Sequence, residues 1–228
     1  INQVWIPYGE EIDSTVFHGR YKVTWSEEEN LLYILAEITD NIFVDGYHYN
    51  PDPEKGGGYA DHDIFEVFID ENKAGVPHVF NSEGEDPEEW GENAEAAFAY
   101  HIVIDKPADG KSISKKLALD ITGKNWDDYK IIDYRKHLPE FSVYRNNDQY
   151  TWEFSLQVHN DTYNHSSPRN SIVDLKKGKI MGFSVAYCNN DDPDETPKKR
   201  DQFFGSVHVP EENYNDHWRN SELFGTIK

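Results

Sequence analysis

The chain has 228 residues, a length that one large all-β domain fills by itself, so the whole of 1–228 reads as a single domain. Hydrophobic residues make up only 37%, but six Trp, fourteen Tyr and twelve Phe allow a core built from large rings. The 43 acidic residues against 22 basic ones give a formal charge of −21, which repels phosphate backbones and anionic membrane surfaces and excludes nucleic acid as a partner.

Strand patterns dominate from the N-terminus onwards. Tyr21, Val23 and Trp25 alternate with Lys22 and Thr24, and Leu31 to Thr39 is apolar on both faces at first. Ile64–Ile69, Phe98–Ile104, Ile113–Ile121 and Phe141–Tyr144 follow as further strands. In the run from Tyr150 to Val158 the residues Tyr150, Trp152, Phe154, Leu156 and Val158 alternate with Thr151, Glu153, Ser155 and Gln157, the mark of a half-buried strand. Met181–Tyr187 and Phe203–Val209 complete the set, and short helical turns are expected only near Asp86–Glu95 and Trp126–Tyr134. Long polar connections separate the strands: Ile42–His62 with Pro51, Pro53 and three consecutive Gly, acidic Asn81–Glu95, and Asn189–Arg200. Together these predict an all-β, jelly-roll-like β-sandwich with long decorated loops and little helix.

Cys188 is the only cysteine, which excludes an intrachain disulfide and a thiolate-rich zinc site. The sequence holds neither an apolar run of transmembrane length nor a signal peptide. Beginning at Ile1 rather than Met, it reads as a trimmed or processed chain, and the missing leader is no argument for the cytoplasm.

The segment Asp63-Ile64-Phe65-Glu66-Val67-Phe68-Ile69-Asp70 is the most informative. On a strand, Phe65, Val67 and Ile69 face the core, so Glu66 lies on the opposite face between Ile64 and Phe68. A carboxylate among apolar neighbours needs a partner. Either an Arg or Lys on the next strand supplies it, or Glu66 accepts hydrogen bonds from ligand hydroxyls on a sheet face.

That segment, in its order along the chain, resembles the family-9 carbohydrate-binding modules. Their Asp-x-hydrophobic-Glu-hydrophobic-Phe-Ile-Asp strand follows a Trp-containing strand, an apolar strand and an Asp, matched by Val23-Thr24-Trp25, Leu32-Tyr33-Ile34-Leu35 and Asp40. Trp152-Glu153-Phe154, Met181-Gly182-Phe183-Ser184-Val185, the loop Asn189–Asp192 with Arg200, and Trp218-Arg219-Asn220-Ser221-Glu222-Leu223-Phe224-Gly225 are similar to the later marks. The resemblance implies a secreted, periplasmic or cell-surface sandwich, monomeric, holding calcium and binding the end of a sugar chain between aromatic rings, in partnership with a glycoside hydrolase. It assigns sugar-bonding carboxylates to Asp40 and Glu66 and draws Asp63, Tyr59, Trp90, Asn189 and Trp218 into the ligand site. Three positions depart from the family. Its Trp before the Glu strand falls at Tyr59-Ala60, its Arg is absent from Phe98-Ala99-Tyr100-His101, and its Asn falls at Cys188-Asn189.

Sugars stack their C–H faces on aromatic rings and bond a few polar groups at the rim. The loop aromatics available for this are Tyr47, Tyr49, Tyr59, Trp90, Trp126 and Trp218, each of which has loop packing as its plain alternative. Asp191, Asp192 and Asp194, with Glu195 beside them, supply oxygen for a structural calcium ion but lack the EF-hand spacing; the alternative is a solvated turn. His48, His62, His78 and His101 show no His-x-x-x-His spacing, which argues against zinc. No nucleophile elbow, phosphate loop or dinucleotide fingerprint occurs, so the expectation is a binding protein without catalytic residues. Two other classes compete with it: a haem-binding electron-transfer domain on a related sandwich, with Met181 as the axial ligand, and a glycoside hydrolase whose carboxylate pair is hidden among the many acidic residues.

Overall fold

The computed structural model describes residues 1–47, 58–75, 97–122, 130–160, 162–163, 167–218 and 220–228, with backbone only for 120–122 and 130–132. In it two antiparallel sheets pack face to face. The eight-stranded sheet is built from β1 (Gln3–Ile6), β4 (Ile64–Asp70), β5 (Ala97–Val103), β7 (Leu117–Thr122), β8 (Lys130–Asp133), β11 (Met181–Asn189), β12 (Gln202–Gly205) and β13 (Gly225–Ile227). Its order is β1-β12-β11-β4-β5-β7-β8, with β13 also paired to β11. The five-stranded sheet runs β2-β3-β10-β9-β6, from β2 (Phe17–Ser26), β3 (Leu31–Asp40), β6 (Ser112–Ile113), β9 (Phe141–Asn146) and β10 (Gln149–Leu156). No helix among the described residues is long and apolar enough to cross a membrane.

The sheets differ in how they meet water, and the difference positions the site. Strand β3 is buried at alternate residues, with Leu32, Ile34, Ala36 and Ile38 turned inward, and β10 adds Tyr150, Trp152 and Phe154. Opposing them on the eight-stranded sheet are Phe65, Val67 and Ile69 of β4 and Phe183, Val185 and Tyr187 of β11; the Phe65 and Trp152 rings meet across the gap at 5.6 Å. The outer face of the five-stranded sheet is polar, with Lys22, Glu37 and Glu153 along it. On the eight-stranded sheet the outer face is covered too, so every residue of β4, β5 and β11 is buried. Trp5, Tyr47, Tyr59, Val209 and Phe224 form that cover. Gly205 admits it: a Cβ there would lie 2.1 Å from the Trp5 indole, so only glycine lets the ring sit flat on β12.

The sandwich and most of its strands are as the sequence indicates, with four differences. Ile113–Ile121 is not one strand. Ser112 and Ile113 pair with β9 in one sheet, whereas β7 pairs with β5 in the other, and the polar step Ser114-Lys115-Lys116 carries the chain between them. The expected helical turn over Trp126–Tyr134 is replaced at Lys130–Asp133 by an edge strand too short to display alternation. Phe203–Val209 pairs only as far as Gly205. Strands β1 and β13 carry no readable period at four and three residues. The Asp86–Glu95 turn lies outside the described residues.

Candidate functional site

Register assembles a polar pocket under the outer cover. Antiparallel pairing sets Glu66 of β4 opposite His101 of β5 on one side and Ala186 of β11 on the other. Cys188, two residues further along β11, comes to the same face, and its thiol donates to Glu66 Oε1 at 3.1 Å. Arg200, from the connection before β12, donates through Nη1 to Cys188 Sγ at 3.2 Å and through Nη2 to Asn215 Oδ1 at 3.0 Å, with its guanidinium 4.4 Å from the Phe203 ring centre.

The charges in this pocket do not cancel in the ordinary way. His101 Nε2 stands 3.8 Å from Glu66 Oε1, but burial lowers the imidazole pKa against the upward pull of Glu66, so the ring is neutral at pH 7. Its Nδ1 lies 3.2 Å from the Leu119 carbonyl and donates there, which leaves Nε2 as an acceptor turned towards the carboxylate. Burial by itself would lower the Arg200 pKa, yet Cys188, Glu66 and Asp61 hold it above its ordinary value. Glu66 Oε2 is buried with no hydrogen-bond partner among the described residues. Leaving such an acceptor unbonded costs about 1–3 kcal/mol, and more when it carries charge. The next strand therefore offers Glu66 a neutral histidine rather than the Arg or Lys of an ordinary cross-strand pair.

Tyr59 sits in a short 3-10 turn, Tyr59–Asp61, and closes the pocket: its ring is 4.6 Å from that of His101, with Tyr47 edge-on to it at 6.0 Å. Trp218 is half-buried against the same outer cluster. The structure thus brings Glu66 and Tyr59 together, and it adds His101, Cys188 and Arg200.

Asp40 and Asp63 do not join them. Both follow the inward phase of their strands and face into the sandwich, where Tyr187 donates to Asp40 Oδ2 at 2.7 Å and the backbone N–H groups of Val44 and Asn190 donate to Asp63. Burial pushes the Asp40 carboxyl up to about 6, against hydrogen bonds from Tyr187 and Asp63. Asp63 is raised by burial first and by the charge of Asp40 second. Through the backbone N–H groups of Ile42, Val44 and Asn190 the two carboxyls tie the start of the connection after β3 to the end of β11. Asn189 also follows the inward phase, bonding Gln202 Oε1 at 2.7 Å, so it is Cys188 that faces Glu66.

The acidic connection is organised by its own backbone. Asp192 Oδ1 accepts from the N–H groups of Asp194 and Glu195, and the Asp191 carboxyl is raised by partial burial against a hydrogen bond from Asn189. Among the described residues no three His, Cys, Asp or Glu converge for a metal ion; Asp191, Asp192 and Asp194 follow one another along this single connection. Met181 lies in the apolar core. Trp90, Tyr49, Trp126, His48 and His78 lie outside the described residues.

The chain is thus a β-sandwich with a buried polar cluster beneath aromatic rings on one sheet face. The model of the carbohydrate family 9 binding domain-like family matches residues 2–228, and the chain belongs to that family. No curated protein sequence matches it significantly.

Proposed function

We infer that this domain binds carbohydrate at the Glu66 pocket, and that the unpartnered Glu66 Oε2 is the observation that carries the reading. A sugar hydroxyl donates to Oε2, a second to His101 Nε2, and Arg200 donates to a sugar oxygen from the far side. Charge-assisted bonds of this kind are shorter and stronger than neutral ones, and the apolar surround strengthens them further. Tyr59 supplies the ring against which a pyranose face packs, in the place where the family has Trp. Because Glu66 is only 1% exposed, Tyr59 and Tyr47 swing aside to admit the ligand.

The wider setting follows from the family resemblance: a monomeric module secreted, periplasmic or on the cell surface, working beside a glycoside hydrolase and adding no catalytic group of its own. Calcium belongs to this reading only as a structural ion of the Asn189–Arg200 connection. It is supported there by the resemblance and the density of carboxylates rather than by their arrangement, and no binding step passes through it. A glycan array followed by titration of the best neutral sugar tests the proposal. Binding that survives unchanged in Glu66→Gln overturns it.

A further inference from the structure

A second feature, at the opposite margin of the sandwich, is explained by nothing in the Glu66 pocket. Where edge strand β2 runs past β11 and β13, a groove of about 760 Å³ opens between the sheets. Its floor is apolar, from Trp25, Leu32, Met181 and Ile227. Its rim carries Lys176, Lys177 and Lys179 from one turn, with Lys228 as a fourth. No Asp or Glu lines the groove, although acidic residues outnumber basic ones 43 to 22 in the chain. The rim is therefore basic in a strongly negative protein, although Lys179 is paired with Glu71 and Lys176 stands near Asp174, and a charged ligand that enters is selected by sign.

The rim is held in place. Asn30 accepts from the Leu175 backbone N–H at 2.7 Å and donates to the Val173 carbonyl at 3.0 Å, clamping the segment before the lysines to the β2–β3 turn. Gly178, at a φ of +88°, turns the chain so that the Lys179 N–H reaches the Lys176 carbonyl at 3.0 Å. Lys179 is anchored to Glu71 at 2.5 Å, and Lys176 stands 3.7 Å from exposed Asp174. Lys177 pairs with no carboxylate among the described residues. Trp25 is half-buried beside them, and its indole N–H has no hydrogen-bond partner among the described residues.

We propose that this groove is a second carbohydrate subsite, selective for an acidic sugar: a uronate whose C–H face stacks on Trp25 while its carboxylate lies among Lys176, Lys177 and Lys179. The Trp25 ring and the cationic rim match the apolar face and the carboxylate of such a residue. The choice of a sugar rests on membership of a carbohydrate-binding family, but the site is separate from Glu66, so the two fail independently.

The test is calorimetric titration of the intact chain with an oligogalacturonate and with its methyl ester, which keeps the rings and removes the charge. At low ionic strength, where the Debye length exceeds roughly 20 Å, the acid form binds at least about tenfold more tightly than the ester. Trp25→Ala and the exposed double change Lys176→Gln with Lys177→Gln each weaken it by about the same factor, while Glu153→Gln on the wet face of β10 leaves it unchanged. The lysine pair guards against Trp25→Ala misfolding, since neither lysine is buried. Equal affinity for acid and ester, no binding of the acid form, or full binding in the lysine variant overturns the proposal. Loss on Glu66→Gln alone would assign the uronate to the first pocket and overturn it equally.

Discussion

Replacing Glu66 by Gln separates a ligand-binding carboxylate from a structural one. In the folded protein Glu66 Oε1 takes the Cys188 thiol, a weak bond that an amide oxygen keeps, and Oε2 takes nothing among the described residues. The substitution breaks no strong hydrogen bond but withdraws part of the support that Glu66 gives Arg200, so stability should fall by about 1–2 kcal/mol, a few degrees in Tm. Sugar binding should suffer more. An acceptor becomes a donor where a hydroxyl proton points, and losing a charged hydrogen bond costs about 1.5–3 kcal/mol, roughly ten- to a hundredfold in Kd. Isothermal titration with the sugar selected by the array, beside a thermal melt of both proteins, reads the two effects separately. A fall in Tm of ten degrees with affinity intact would refute the reasoning, because it would make Glu66 a structural partner of Arg200 and Cys188.

Asp63→Asn should flatten the pH dependence of stability. Burial raises the Asp40 carboxyl to about 6 and the Asp63 carboxyl well above its ordinary value, so their contribution is full below the ordinary carboxylate range and is lost as pH rises through those raised values; Asn keeps a donor towards Asp40 at every pH, and melts from acid to neutral pH compared with the unaltered protein show whether the slope persists. Gly205→Ala should destabilise by about 1–3 kcal/mol in denaturant titration, since the new methyl overlaps a Trp5 ring that is pinned by a 3.0 Å bond to the Val207 carbonyl; an unchanged midpoint would mean that the cover is loose. Millimolar calcium should raise Tm, with EDTA reversing the gain; a melt indifferent to both removes the ion from the account.

Much of the sandwich was legible because its strands are long enough to show their phase. The alternation from Tyr150 to Val158 and the apolar run of β4 both announce themselves, and the same phase argument puts Glu66 on the outer face. Carried two residues back from Phe65, it would also have put Asp63 inside, and carried on from Ile38 it does the same for Asp40. What no local pattern contains is register. His101 is opposite Glu66 only because β5 pairs with β4 at that offset, and Cys188 and Arg200 reach the pocket from more than a hundred residues away. The short strands β1, β8 and β13 were hidden for a simpler reason: three or four residues cannot establish a period of two.

The two-faced burial of one sheet beside the wet face of the other gives the molecule a back and a front. The chain's single thiol, Cys188, is fully buried, so surface thiol chemistry has nothing to act on in the folded protein. A cysteine placed on the back, at exposed Glu153 in the middle of β10, would thus be the sole reactive handle. Beads or dyes attached there would leave the Glu66 side facing outward, so that immobilised molecules all present the same surface to a glycan in solution.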